Sequence, residues 1–358
     1  MKNLKLTIYA ILAIGTFTSC TNEDDSPAVE APLGAYQNGI LIVNEGNFGS
    51  DNSSISYLSG DLGTFQLNAF TAVNPTLTLG NTAQSISFNG DKAYVVVNVS
   101  NKIEVLNRYT LQHVATISTG LSNPRFVEFA NGKGYVTNWG DGGSPSDDYV
   151  AVLNLNTNAI ATTIPVVEGP ERIVQNNGKL YVAHKGGYGQ GNKITVINSS
   201  NDTNETTISV GDVPGSLEIS NGFLYVLCQG KPSWTGSETV GKLQKISLSD
   251  TSQVTTLDFT LGVHPGNLDI DGGNLFYTVS NSVYKISESS FTLPTAALFN
   301  TTAQSVSGFY GFAVKGSNVF IADANNFSSA GEIFVYNSTG TVINTRTVGV
   351  CPNGFYFN

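Results

Sequence analysis

The sequence predicts an all-β chain, a seven-bladed β-propeller with four-stranded blades, and three observations predict it. The first is composition: of 358 residues only 12% are charged, with 38 Gly and one Met. Val, Ile, Thr, Tyr and Phe recur in short runs separated by Asn, Gly, Ser and Asp, which suits strands and turns rather than helices. The second is a repeat. Segments beginning at 81, 122, 168, 212, 263 and 308 each carry a short polar or proline lead, an alternating strand, a Gly-containing turn such as Asn131-Gly132, and a second strand centred on Tyr, Phe or Val. Asn-Gly between alternating strands is the strongest local hairpin signal. The lead prolines Pro124, Pro170, Pro214 and Pro265 recur every 44 to 51 residues, room for four strands per unit. The third observation is at the ends. VCPNGFYFN at the C-terminus supplies a lead and one strand, whereas GILIVNEGNFG from Gly39 supplies a second strand without a first. Sharing one blade between the termini closes the ring, removes its edges and brings the count to seven.

In chain order, residues 1–19 read as an export signal: Lys2 and Lys5 precede an apolar run over 6–14 that is too short for a permanent membrane span. Ser19-Cys20 resembles a bacterial lipobox, with Phe17 where Leu is usual. Cys20 is then the acylated first residue of the mature protein, anchored by several acyl chains; an ordinary cleaved signal peptide is the alternative. Residues 20–35 are acidic, then proline-containing, and read as a flexible tether. Such an acidic run after the lipid cysteine resembles the surface-export signal of lipoproteins in the Bacteroides and Flavobacterium group, which implies an outer-membrane, lipid-anchored protein facing the cell exterior. Residues 36–358 form the propeller. The repeat register places Cys228 and Cys351 in different blades, so two free, buried thiols are expected rather than a disulfide.

The formal net charge of −10 argues against nucleic acid as a partner, because phosphate binding needs a basic face. In a propeller the leads into the first strands and the loops from second to third strands share one face, and such loops carry function. The loops hold Phe48, Trp139, Tyr188, Trp234 and Phe327 among Gly, Asn and Ser, together with Asn44, Glu45, Asn138 and His184. The leads add Gln84, Arg125, Glu171, Arg172, His264, Phe309, Tyr310 and Asn353. Rigid aromatics with adaptable polar neighbours predict a small-molecule recognition surface; the alternative is that the aromatics fold back and cap the core. Catalytic signatures are lacking: the chain has three histidines and no nucleophile elbow or metalloprotease motif. His113 falls in an outer strand. A lyase or lactonase would require His184 and His264 to meet across the face with Glu45 or Glu171 as partner. Asp141, Asp147 and Asp148 are either a Ca²⁺ site or a solvated turn. No cofactor is expected.

The seven-unit plan, the NPR, GPER and VPG leads and the Asn-Gly-Lys-Leu-Tyr-Val hairpins resemble the YncE-like seven-bladed propellers. More narrowly, NEGNFGSDNSSISYL after a lipoprotein leader is similar to the Bacteroidetes surface lipoproteins of the cobalamin-binding BtuG family. That resemblance covers about residues 36 to 358. It implies capture of a nutrient, with cobalamin the first candidate, for a TonB-dependent outer-membrane transporter. A propeller enzyme and a protein-interaction platform in adhesion are the competing readings.

Overall fold

Each two-residue hairpin turn is built by residues that accept positive φ. Asn131 and Gly132 (φ 48° and 71°), Asn177 and Gly178 (49° and 77°), and Asn221 and Gly222 (49° and 78°) all adopt the left-handed conformation. This is the geometry that matches the twist of the flanking strands. The computed structural model describes residues 33–358, and in it these hairpins are grouped into seven four-stranded antiparallel sheets. The export signal, the Cys20 lipidation site and nearly all of the tether lie outside the described residues.

Blades 1 to 6 run through residues 83–117, 124–165, 170–209, 214–258, 265–300 and 309–350. Blade 7 is shared: the C-terminal strand Pro352–Phe357 pairs antiparallel with Gly39–Asn44, which continues to Ser54–Ser59 and Phe65–Gln66. The expected seven-bladed propeller with ring closure by both termini is therefore what forms. Pairing the termini leaves no open sheet edge at the ring's junction.

The core lies between blades. Tyr135, Val150 and Val152 of blade 2 pack with Ile173, Leu180 and Val182 of blade 3, and equivalent clusters recur around the ring. A single sheet cannot bury both of its faces, so each blade depends on two neighbours. The tyrosines in the second strands, Tyr94, Tyr135, Tyr181, Tyr225 and Tyr277, are all buried. The Tyr135 hydroxyl donates to Asp202 and the Tyr225 hydroxyl to Glu288, each in the next blade's outer part. Cys228 and Cys351 are free and buried, as the register requires.

Candidate ligand-binding site

A left-handed residue precedes the inner strand in most blades: Thr82, Asn123, Gly169, Val213 and Cys351 have φ between 52° and 66°. Their carbonyls accept the backbone N–H of Asn98, Trp139, Lys185, Gln229 and Glu45 respectively, the residues just beyond the second strands. These bonds hold each lead against the loop from second to third strand, so both lie on one face.

Immediately afterwards the inner strand slips register against its partner in every blade. The surplus residue falls at Gln84, Arg125-Phe126, Glu171-Arg172, Gly215, Asn267, Tyr310 and Asn353. A β-bulge re-aims the side chains at the slip. Here all of these residues line one cavity of about 490 Å³, together with Glu45, Lys185, Gln229, Ser280 and His264. The cavity is thus the product of one repeated backbone defect, and the residue at the slip varies around the ring, with Asn recurring at 267 and 353 and Gly215 adding no side chain.

Its polar groups are largely paired. Arg125 donates through Nε and Nη2 to both oxygens of Glu171, at 3.0 and 2.9 Å, and its guanidinium lies 4.2 Å above the Trp139 ring. Burial works against the Glu171 charge, but the Arg125 guanidinium outweighs it and holds the carboxyl below the usual range. Glu45 accepts from the Tyr310 hydroxyl at 3.0 Å and from Asn353 Nδ2 at 2.8 Å; burial nevertheless raises its pKa above the ordinary value. Asn353 also donates to the carbonyls of Ala83 and Gln84, tying blade 7 to blade 1. His264 is held by the Gln229 carbonyl at 2.8 Å and by Glu238 at 3.1 Å. Arg172 stands apart: its guanidinium stacks 4.3 Å over Phe126, but no side chain or carbonyl among the described residues hydrogen-bonds to it. A rigid, pre-paired ring with a few uncommitted donors suits recognition of a polar ligand, because little reorganisation accompanies binding.

Of the residues expected at the face, Glu45, Gln84, Arg125, Arg172, His264, Tyr310 and Asn353 line the cavity, as do Glu171 and Phe309. Others require correction. Asn44, Asn138 and His184 end their second strands and are buried, not presented to a ligand. Asn44 donates to the Ile42 carbonyl and to Ser54, and Asn138 donates to the Val136 carbonyl while accepting from the Ser122 N–H. His184 pairs with Thr195 at 2.8 Å, and burial pushes its imidazole down to about 4. It does not line the cavity that holds His264, and neither Glu45 nor Glu171 pairs with a histidine among the described residues, so the grouping that a lyase or lactonase would require does not form. Trp139 is 9% exposed, beneath Arg125 and edge-on to Tyr188. It therefore backs the Arg125 guanidinium instead of standing open to a ligand.

Phe48, Tyr188, Trp234 and Phe327 are exposed on the loops, at 86, 76, 77 and 51%, but do not line the cavity. The Asp141 to Asp148 loop folds on itself: Asp141 accepts from Gly143 N–H, Asp147 from Asp141 N–H and Asp148 from Gly169 N–H. Among the described residues, no group of three His, Cys, Asp or Glu side chains is arranged to hold a metal ion. Sequence reasoning missed Lys185, Gln229, Ser280, Gly215 and Asn267. The signal was present: the first three stand one residue past the second strand, the column that begins with Glu45; Gly215 directly follows a lead proline as Arg125 does, and Asn267 stands two residues past one as Arg172 does.

Solved structures share this fold. A quinoprotein alcohol dehydrogenase-like protein of Bacteroides thetaiotaomicron is 13% identical, over 90% of this chain and 78% of that one, with TM-score 0.64. A functionally unknown protein of Desulfotomaculum acetoxidans is 14% identical over 90% and 99%, TM-score 0.64, and BamB of Moraxella catarrhalis is 13% identical over 90% and 86%, TM-score 0.52. At such identity the likeness is one of fold alone. No curated protein sequence matches the chain. Residues 38–347 match the family described as "Domain of unknown function (DUF5074)".

Proposed function

The chain belongs to the DUF5074 family, and from that premise we propose that it is a lipid-anchored surface protein that captures a nutrient at its bulge-lined cavity. The observation that carries this reading is the convergence of seven bulges, bearing six kinds of substitution, on one cavity of about 490 Å³. A scaffold that repeats its backbone and varies one residue per blade separates folding from recognition. The lipobox-like Ser19-Cys20 and the acidic run behind it support attachment at the outer membrane, facing outward. A TonB-dependent transporter is the partner to which the captured nutrient would pass.

Cobalamin is the first candidate ligand. Its corrin ring is too broad to enter the cavity, but amide arms would meet Gln84, Asn267 and Asn353 while the ring rests against the exposed Tyr188 and Trp234 of the rim. Calorimetric titration of the full chain with cyanocobalamin tests this directly. Saturable one-to-one binding that Asn353→Ala weakens and His184→Asn leaves intact is the expected result; absence of binding removes cobalamin as the ligand.

A further inference from the structure

Two arginines occupy the bulges of neighbouring blades, and both stack on an aromatic ring: Arg125 on Trp139 at 4.2 Å and Arg172 on Phe126 at 4.3 Å. Their electrostatic situations differ. Arg125 is neutralised by a bidentate pair with Glu171, and both partners are buried, at 14 and 8% side-chain exposure. Glu171 meets Arg125 with both oxygens, and although Arg172 also helps to hold it ionised, the two form no ion pair or hydrogen bond among the described residues. Glu218 and Asp269 lie close enough to be influenced by Arg172, yet no carboxylate among the described residues comes within ion-pair distance of it. Lys185, on the same cavity wall, likewise has no acidic partner among the described residues, although it helps to hold Glu171 ionised. Glu45 is committed to Tyr310 and Asn353. The cavity of an acidic protein, with formal net charge −10, thus contains two uncommitted cations and no uncommitted anion.

Resting on the capture reading above, we infer that the ligand carries an oxyanion, a carboxylate or a phosphate, that is held by Arg172 and Lys185. A planar guanidinium already stacked on Phe126 is oriented for a two-pronged grip on such a group, and Lys185 adds a point charge to the same cavity. Loss of the stacked fork is not made good by a lysine, because the bidentate geometry goes with it. The Arg125–Glu171 pair is the internal counterpart of the complex expected at Arg172.

The test is thermal unfolding of the full chain against citrate and against inorganic phosphate, with sodium chloride holding ionic strength constant. A ligand that binds the folded state alone raises Tm in a saturable way. The expected result is saturable stabilisation by at least one of the two anions, weakened tenfold or more in Arg172→Met, partly retained in Arg172→Lys, and reduced in Lys185→Met. Citrate protecting alone identifies a carboxylate site, and phosphate protecting alone a phosphate site. Stabilisation no greater than that from sodium chloride, or unchanged in Arg172→Met, overturns the inference. A parallel cyanocobalamin titration separates the two levels. Cobalamin binding that is indifferent to Arg172→Met keeps capture and sinks the oxyanion. Protection by an anion without cobalamin binding keeps the oxyanion and sinks the corrinoid.

Discussion

Two cavities lie along the propeller axis and share the Arg172 side chain, but they treat charge in opposite ways. The one on the loop face, of about 490 Å³, is lined by bulge residues whose carboxylates each have a donor. The other, of about 300 Å³, is lined by regular parts of the inner strands, including Glu218, Asp269, Asp271 and Lys315. There the alternation of a strand decides what faces the axis: Leu217 and Leu268 enter the blade cores while Glu218 and Asp269 remain outside them. Asp269 accepts the Val314 and Ile270 N–H groups, but the Glu218 carboxyl has no hydrogen-bond partner among the described residues. Burial, then the Asp269 carboxylate, pushes Glu218 up to about 8 against the pull of Arg172. In the bulge-lined cavity both carboxylates have side-chain donors, whereas strand parity leaves the Glu218 carboxyl without one among the described residues and with a strongly raised pKa.

The largest effect expected from this contrast comes from breaking the paired cavity. Glu171→Ala leaves the Arg125 guanidinium buried without a counter-charge and should lower stability by about 3–5 kcal/mol in urea unfolding. Adding Arg125→Met should recover most of that loss, since removing both partners of a buried pair is far milder than removing one. If the single variant is as stable as the parent, the cavity is not pre-paired.

The unpaired carboxylates respond to pH instead. A carboxyl whose folded pKa is raised contributes stability that is complete below its unfolded pKa, near 4.3, and is lost as pH rises through about 8. Glu218→Gln should therefore be neutral near pH 4 and stabilising by roughly 1–2 kcal/mol near pH 8.5, discounted for solvent screening. Urea midpoints measured across that range should flatten relative to the parent. A smaller effect is expected from Tyr310→Phe, which deletes one donor to Glu45 and should cost about 1 kcal/mol in the same assay. The smallest belongs to the rim. Trp234 is 77% exposed, so Trp234→Ala should change stability by no more than about 0.5 kcal/mol while weakening cobalamin binding.

The sequence carried the architecture because a repeat states its rule several times. Asn131-Gly132 and its counterparts mark the turns, Pro124, Pro170, Pro214 and Pro265 mark the inner strands, and the half-blades at Gly39 and Cys351 reveal the closure. The site was half readable. Arg125, Arg172, Tyr310 and Asn353 were recognised from their position behind the leads, and all line the cavity. Asn138 and His184 were not recognised as buried, because they are polar and sit beside a glycine-rich loop. Only their pairing at the end of a strand turns them inward. The loop aromatics were only partly readable for a related reason: a loop's composition does not tell which way its aromatic folds. Trp139 folds under Arg125, while Trp234 sits on a short 3₁₀ turn exposed to solvent.

The most direct test of the cavity as the binding site is to fill it without touching its charges. Gly215 has an ordinary φ, and a Cβ there would meet only the Gln229 side chain, at 3.4 Å or beyond, so Gly215→Trp should fold and place an indole in the cavity. Titrating parent and variant with cyanocobalamin should give tight one-to-one binding in the parent and a loss of more than a hundredfold in the variant, at unchanged Tm. Equal binding by the two proteins would contradict the assignment of the cavity.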